Sequence, residues 1–417
     1  MELKRNYKQT EIGVIPKDWI VKELREVLTF GNGIDYKHLA KGDIPVYGTG
    51  GIMTFVNDFL YDGEAVGIGR KGTINKPVFL NGKFWTVDTL FYAHNFKNVL
   101  SQLIYYNFHL INWLDYNEAS GVPSLSKATI EKIRIPLPSS LSEQKAIAQV
   151  LTDTDQLIQN LKTLIVKKKA IKQGAMQELL TGEKRLNGFD KDWEFKKLPE
   201  LIWFQEGPGL RNWQFTDKGI KVINITNLVE GYLNLTKTLR YISLEEFDKM
   251  YKHFEIDSGD VVMASSGNSY CKTSIVRDVD LPLVMNTSVI RFKPKDSYDF
   301  KFMFIYLKSY LFKEQIDLLI TGGAQPNFGP FHLNKIDLPF PEIKEQKAVA
   351  QILSDMDLEI EALEIQIQKT QDLKQGMMQE LLTGKIRLVK TDTKAEKKEN
   401  NNISMAAEPE VVYKKNY

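Results

Sequence analysis

The chain has 417 residues, 43% hydrophobic and 26% charged, with a net charge of +2 and a single cysteine. These values describe a globular protein of about two to four domains and exclude collagen-like, disulfide-stapled and wholly disordered classes. No apolar run approaches the ~18 residues of a membrane helix, MELKRNYKQTEIG lacks a signal-peptide core, and the lone Cys271 suits a reducing, cytoplasmic setting as a structural residue.

Residues 1–140 form a first block. It opens with IPKDWIVKELREVLTFGNG (15–33), a Lys-Asp-Trp, a short amphipathic stretch and a glycine turn. YDGEAVGIGRKG (61–72) and WTVDTLFYA (85–93) are rich in Val, Ile, Thr and aromatics between glycines, which predicts strands with turns. VLSQLIYYNFHLINWL (99–114) predicts a short helix. SGVPSLS (120–126) is a loop, and IRIPLPSSLSEQ (133–144) reads as a strand, then helix-blocking prolines, then a helix start.

Residues 141–186 predict one long helix. In heptads its a positions are Leu151, Ile158 and Ile165, and its d positions Ile147, Thr154, Leu161, Lys168 and Ala175. That narrow apolar stripe, free of proline, is a coiled-coil seam. It ends at Gly182, where a C-terminal glycine is expected.

Residues 187–340 repeat the first block's plan. GFDKDWEFKKLPELIWFQEG (188–207) parallels 15–33, DSGDVVMASSGN (257–268) parallels 61–72, and LVMNTSVIRF (283–292) parallels 85–93. SYDFKFMFIYLKSYLFKEQI (297–316) predicts short helix, GGAQPNFG (322–329) a loop and IDLPFPEIKEQ (336–346) the next helix start. Residues 341–387 then predict a second long helix, with a positions Leu353, Ile360 and Ile367 and d positions Val349, Met356, Leu363, Thr370 and Met377. Residues 388–417 are polar and charged, which predicts a disordered tail.

The two helical stretches are copies. EQKAIAQVL…KQGAMQELLTG and EQKAVAQIL…KQGMMQELLTG align without a gap at a shift of 202, matching at about 23 of 40 positions from Glu143 and Glu345 onward. A lone helix reaching about 57 Å cannot bury its seam, and the other copy is the natural partner. Lys168 and Thr370 interrupt the seam at the same place, a device that sets register.

Several motifs do not carry the chemistry they suggest. GIGRKG (67–72) fits G-x-G-x-x-G, but TINKPVFL follows with Pro77 instead of a helix, so a turn between strands is expected. DLPF (337–340) differs from the D-P-P-F tetrad of amino-methyltransferases, and IPLP in the first copy marks it as a strand end. The chain has no P-loop or nuclease-type acidic cluster, and its histidines, at 38, 94, 109, 253 and 332, lack metal spacing. No catalytic residue, metal site or cofactor site is expected. With so little net charge, any DNA-binding surface must be local. Candidates are Tyr47, Arg70, Lys71 and Lys83 in the first block, and Arg211, Asn268, Tyr270, Lys272, Gln325 and Asn327 in the second. Arg can pair with guanine, Asn or Gln with adenine, and Lys serves phosphate. A coiled-coil adaptor with protein-binding globules is the alternative.

The order of parts and the text of the joints resemble the specificity subunit of a bacterial type I restriction-modification enzyme, over nearly all of residues 10–386. LPSSLSEQKAIAQVL and FPEIKEQKAVAQIL resemble that family's way into its conserved helices. MQELLTG followed by Lys184-Arg185, or by Lys385 and Arg387, resembles the way out. GVPSLS and GGAQPNFG resemble the loops closing its target recognition domains.

The resemblance implies an α+β fold: two globular α/β-mixed target recognition domains, 1–140 and 187–340, joined by two antiparallel coiled-coil spacer helices, 141–186 and 341–387, with pseudo-twofold symmetry. It implies a bipartite double-stranded DNA target, two methyltransferase subunits that methylate adenine, and two motor-endonuclease subunits where restriction is present. S-adenosylmethionine, ATP and magnesium then belong to those partners. Half-sites are expected about one helical turn, roughly 34 Å, or a multiple apart. Glu143, Gln144, Glu345 and Gln346 are candidates for docking the partner subunits, and they suit helix-start chemistry equally well.

Overall fold

The computed structural model describes residues 6–229, 231–237, 239–320 and 326–388. Gln325 and the tail from 389 onward lie outside the described residues. The chain folds as two compact units, the described parts of 1–160 with 367–417, and 161–366. Each unit contains one globule, the front of one long helix and the back of the other.

Both globules are built on one plan. In the first, an antiparallel sheet runs in the order Thr29–Asn32, Leu90–His94, Ala65–Gly69, Val78–Leu80. The second repeats it with Ile202–Glu206, Val289–Pro294, Val261–Ala264 and Thr273–Ile275. Ala65–Gly69 and Val261–Ala264 are buried at every residue, as strands covered on both faces must be. A second sheet in each, four-stranded in the first globule and three-stranded in the second, holds one parallel pair, Lys83–Thr86 with Lys41–Gly48 and Leu283–Met285 with Ile220–Ile223. GIGRKG closes a strand and turns toward Val78–Leu80, and DLPF is the strand Asp337–Phe340, as the sequence predicts. The helical stretch after 297 is two helices, Phe300–Lys308 and Tyr310–Leu319. Extended Ser309 breaks it, and its hydroxyl accepts a bond from the Phe312 amide as an N-cap.

A two-stranded joint returns each globule's chain to the helix start. Trp19–Glu23 pairs with Arg134–Pro138, and Glu194–Lys197 with Asp337–Phe340. Prolines are tolerated there because a two-stranded ribbon leaves half its amides unpaired. The long helices follow, Leu141–Thr181 and Ile343–Leu381. Gly182 and Gly384 end them at φ 75° and 72°, the left-handed turn glycine adopts most readily. Backbone bonds from Lys184 to Glu178 and from Ile386 to Glu380 then absorb orphan carbonyls.

Within each unit the helices run antiparallel. In the first, Ile147 and Leu151 at one helix's start pack with Met378, Leu381 and Leu382 at the other's end. In the second, Val349, Ala350 and Leu353 pack with Met176, Leu179 and Leu180. The heptad reading holds through Ile158, Leu161, Ile165 and Ile360 but slips near the exits. Ala175 and Met377 are only half-buried, while Met176 and Met378 are buried. There each helix meets its globule's core as well as its partner, so the buried face widens beyond a strict a/d seam.

Lys172 pairs with Asp357 in the second unit, and Lys374 with Asp155 at 2.6 Å in the first; the two pairs are related by the 202-residue shift. Seam-breaking Lys168 reaches Glu359 at 2.6 Å. Partly exposed pairs of this kind contribute about 0–1 kcal/mol each, so they choose register more than they add stability.

The helix starts are locked by one duplicated cluster. Glu345 accepts two bonds from Arg185, both at 2.8 Å, and one from the Trp193 indole at 2.9 Å. Glu143 accepts bonds from Arg387 at 2.5 and 2.8 Å and from the Trp19 indole at 3.2 Å. Each cluster joins a globule's opening Lys-Asp-Trp, the start of one helix and the residue three past the other helix's glycine. The neighbouring glutamines brace it: Gln144 bonds the Leu100 amide and the Asn98 and Pro138 carbonyls. Gln346 does the same with Asp299, Ser297 and Pro341. The carboxylates hold the arginines more firmly protonated than usual, and Arg387 in turn holds Asp18 below the usual carboxylate range.

This corrects one expectation. Glu143 and Gln144 are 2% exposed, Glu345 1% and Gln346 0%, so these four side chains are internal ties and not a docking surface for partner subunits.

Removing a buried acceptor strands its donors, whereas removing an exposed one does not. Glu345→Ala is therefore expected to cost about 2–4 kcal/mol, and Glu359→Ala less than about 1 kcal/mol. Urea denaturation followed by circular dichroism measures both, and equal shifts would refute the latch.

Candidate nucleic-acid interface

At one end of each all-antiparallel sheet three turns are tied together by the same backbone bonds. In the first globule Arg70 N donates to Thr89 O (2.7 Å), Leu125 N to Arg70 O (2.9 Å) and Gly72 N to Pro123 O (2.9 Å). In the second, Ser265 N donates to Ser288 O (2.9 Å), Phe328 N to Ser265 O (3.0 Å) and Gly267 N to Pro326 O (3.0 Å). An isolated bridge completes each ring, Lys71 with Ser124 and Ser266 with Asn327. The closing loops differ in sequence, Val122-Pro123-Ser124 against Ala324-Gln325-Pro326-Asn327, yet their prolines occupy equivalent places.

A fourth segment flanks each ring. Gly33 N donates to Leu90 O and Gly207 N to Val289 O. Both glycines are required by close approach. A Cβ would lie 1.9 Å from the Val87 carbonyl oxygen at Gly33 and 2.3 Å from that of Asn286 at Gly207. Beyond them the chain rises as an arm, 34–40 in one globule and 208–216 in the other. In the first globule the arm, the 48–50 hairpin turn and Val87–Thr89 line a shallow cavity of about 610 Å³.

The rings gather some of the candidate residues and not others. Arg70 and Lys71 are exposed on the first ring, Asn268 and Asn327 on or beside the second, and Arg211 on the second arm. Lys83 lies at the far end of its strand, opposite Asp62 and over the Phe59 ring. The half-buried Tyr47 side chain packs edge-on to Phe84, 6.4 Å between centroids. Both are therefore set aside as members of the ring surface. Tyr270 and Lys272 stand just past the second ring. The Tyr270 hydroxyl donates to Asp317 at 2.5 Å, which pushes the phenol's pKa up, and Lys313 lies over its ring. Between them Cys271 is pushed up to about 12 by burial, so its thiol stays protonated at neutral pH. No group of acidic, histidine and cysteine side chains suited to a metal occurs among the described residues.

The profile of the type I restriction modification DNA specificity domain matches residues 16–168 and 190–370. The chain belongs to this family. Over 356 residues it is 30% identical to the type I restriction enzyme MjaVIII specificity subunit of Methanocaldococcus jannaschii, covering 81% of each chain. The fold is that of the S subunit of a type I restriction-modification system from M. genitalium, with a TM-score of 0.56 at 14% identity over 92% of this chain and 98% of that one. The HsdS subunit from Thermoanaerobacter tengcongensis is similar at a TM-score of 0.50 and 14% identity, over 89% and 98%.

Two residues of this specificity subunit escaped the sequence reading. Lys37 stands on the first arm where Arg211 stands on the second, four residues past the packed glycine in each case. A shift of 174, set by Trp19 and Trp193, relates Gly33 to Gly207 and Lys37 to Arg211, so a second register of the repeat could have found it. Trp213, also on the arm, had no counterpart in that register and so no signal.

The carbonyl packed against Gly207 leaves no room for a methyl group. Gly207→Ala is expected to lift the arm and cost about 1–3 kcal/mol. Urea denaturation, with limited proteolysis at 208–216, checks this; unchanged stability and cleavage would show that the arm is not held through this glycine.

Proposed function

We propose that the chain is the non-catalytic, sequence-reading subunit of a type I complex, with residues 1–140 and 187–340 each reading one half of a bipartite DNA target. The observation that carries this reading is the duplicated ring. One backbone frame recurs with unlike side chains, Arg70 and Lys71 in one copy and Asn268 and Asn327 in the other. Like frames with unlike donors and acceptors suit two different half-sites, because bases are told apart by the hydrogen-bonding groups they meet in the major groove. Arg70 is assigned to a guanine or phosphate, Lys71 to phosphate, and Asn268 and Asn327 to adenine edges. Among the described residues no helix is long and apolar enough to cross a membrane.

In this reading two methyltransferase subunits, one per half, transfer the methyl group to adenine, and two motor-endonuclease subunits add restriction where present. S-adenosylmethionine, ATP and magnesium are handled by those subunits. Residues 141–186 and 341–387 set the spacer between the half-sites.

Exchanging residues 1–140 for the matching domain of a relative is expected to change one half of the methylated motif only, read by genome-wide adenine-methylation mapping. A change in both halves would overturn the division. In the assembled complex, Arg70→Ala is expected to cost about 1–3 kcal/mol of DNA affinity and relax the motif at one position. Lys71→Ala is expected to weaken all sequences alike and lower the salt slope by about 1. Unchanged affinity and motif in both variants would remove the first ring from the interface.

A further inference from the structure

Trp213 is 81% exposed, although indole is among the side chains that gain most from burial. No aromatic ring or cation is stacked on it among the described residues. The turn that carries it is rigidly built. Asn212–Gln214 is a single 3-10 turn, and Gln214 beneath it is buried. Gln214 accepts a bond from the Arg211 amide at 2.8 Å and donates to Glu246 at 2.5 Å and to the Tyr251 hydroxyl at 2.8 Å. On the near side Leu210 is buried against Val222, Ile242 and Phe247. The arm's base abuts the ring, where Thr287 meets Pro208 and Gly209. A buried amide and a buried leucine thus hold the exposed Arg211, Asn212 and Trp213 out together, on an arm whose base meets the ring. Such an investment in an exposed aromatic is characteristic of a preorganised contact.

We propose that Trp213 is a DNA-contact residue of the second domain, its indole inserting as a wedge against a base step while Arg211 anchors the adjoining backbone or a guanine. The inference rests on the function proposed above. A duplex is favoured as the occupant because the groups exposed beside the indole on the arm, the Arg211 cation and the Asn212 amide, match phosphate and base edges. Insertion of an apolar ring at a base step would add sequence preference through the step's deformability, without a hydrogen bond.

The test uses the full chain assembled with its methyltransferase subunits and a duplex carrying the mapped target. 2-Aminopurine is placed at successive positions of the half-site assigned to the second domain. Cognate DNA is expected to shield Trp213 from acrylamide, read as the difference in tryptophan emission between wild type and Trp213→Phe. It is also expected to raise 2-aminopurine emission at one step. Trp213→Ala is expected to weaken binding roughly 5- to 150-fold, the range for loss of one base–aromatic stack, and Trp213→Phe to restore most of it.

The proposal is overturned if acrylamide reaches Trp213 equally with and without DNA. It is also overturned if the methyltransferase subunits shield it before DNA is added, since the indole would then be a protein contact. Exchanging residues 187–340 tests the parent reading separately. If that exchange changes half of the motif while Trp213→Ala leaves affinity unaltered, only the wedge fails. If the exchange leaves the motif unchanged, the reading of the domain fails.

Discussion

The fold depends on a buried carboxylate that accepts three bonds from two partners in two distant places. Glu143 or Glu345, at the first turn of a long helix, is held by an arginine from the far end of the other helix and by a tryptophan from the globule. A carboxylate with almost no solvent is tolerable only when its oxygens are spoken for. Helix pairing and globule docking therefore become one condition, since separating either would leave the same charge partly unpaired. The arginine stands just beyond the glycine that ends its helix, so termination, register and docking meet at one point.

This explains why the seam itself can be modest. Two apolar residues per heptad, interrupted at Lys168 and Thr370, make a weak coiled coil, and the partly exposed ion pairs along it add little. Apolar contact broadens at the exits, where Met176, Leu179 and Leu180, or Met378, Leu381 and Leu382, join a globule's core. The helices are thus anchored most firmly where they meet a globule.

Within the globules conserved geometry and variable chemistry are separated. The ring bonds are all backbone to backbone, so they survive almost any change in the side chains they carry. The packed glycines set where each arm leaves the sheet, and what the arm displays is free to differ: Lys37 in one, Arg211 with Trp213 in the other.

Much of this was legible in the amino-acid order. The 202-residue shift revealed two helices, the paired openings and strand-like stretches revealed two globules, the heptads gave the seam, and glycines and prolines marked where each element ends, because periodicity and backbone restriction are local properties. The failures of GIGRKG and DLPF were legible too, from the strand-like residues around them. Other features were decided only by the tertiary structure. Glu143, Gln144, Glu345 and Gln346 read as surface residues because charge at a helix start ordinarily meets water, and their true partners lie between 5 and 244 residues away. The rings join turns about twenty to sixty residues apart through amides that every residue possesses, so no side-chain pattern announces them. The sequence by itself determined a duplicated rod and globule. Which polar residues were buried as ties, and which were held out as Arg70, Asn327 and Trp213 are, followed from long-range packing, which no local pattern encodes.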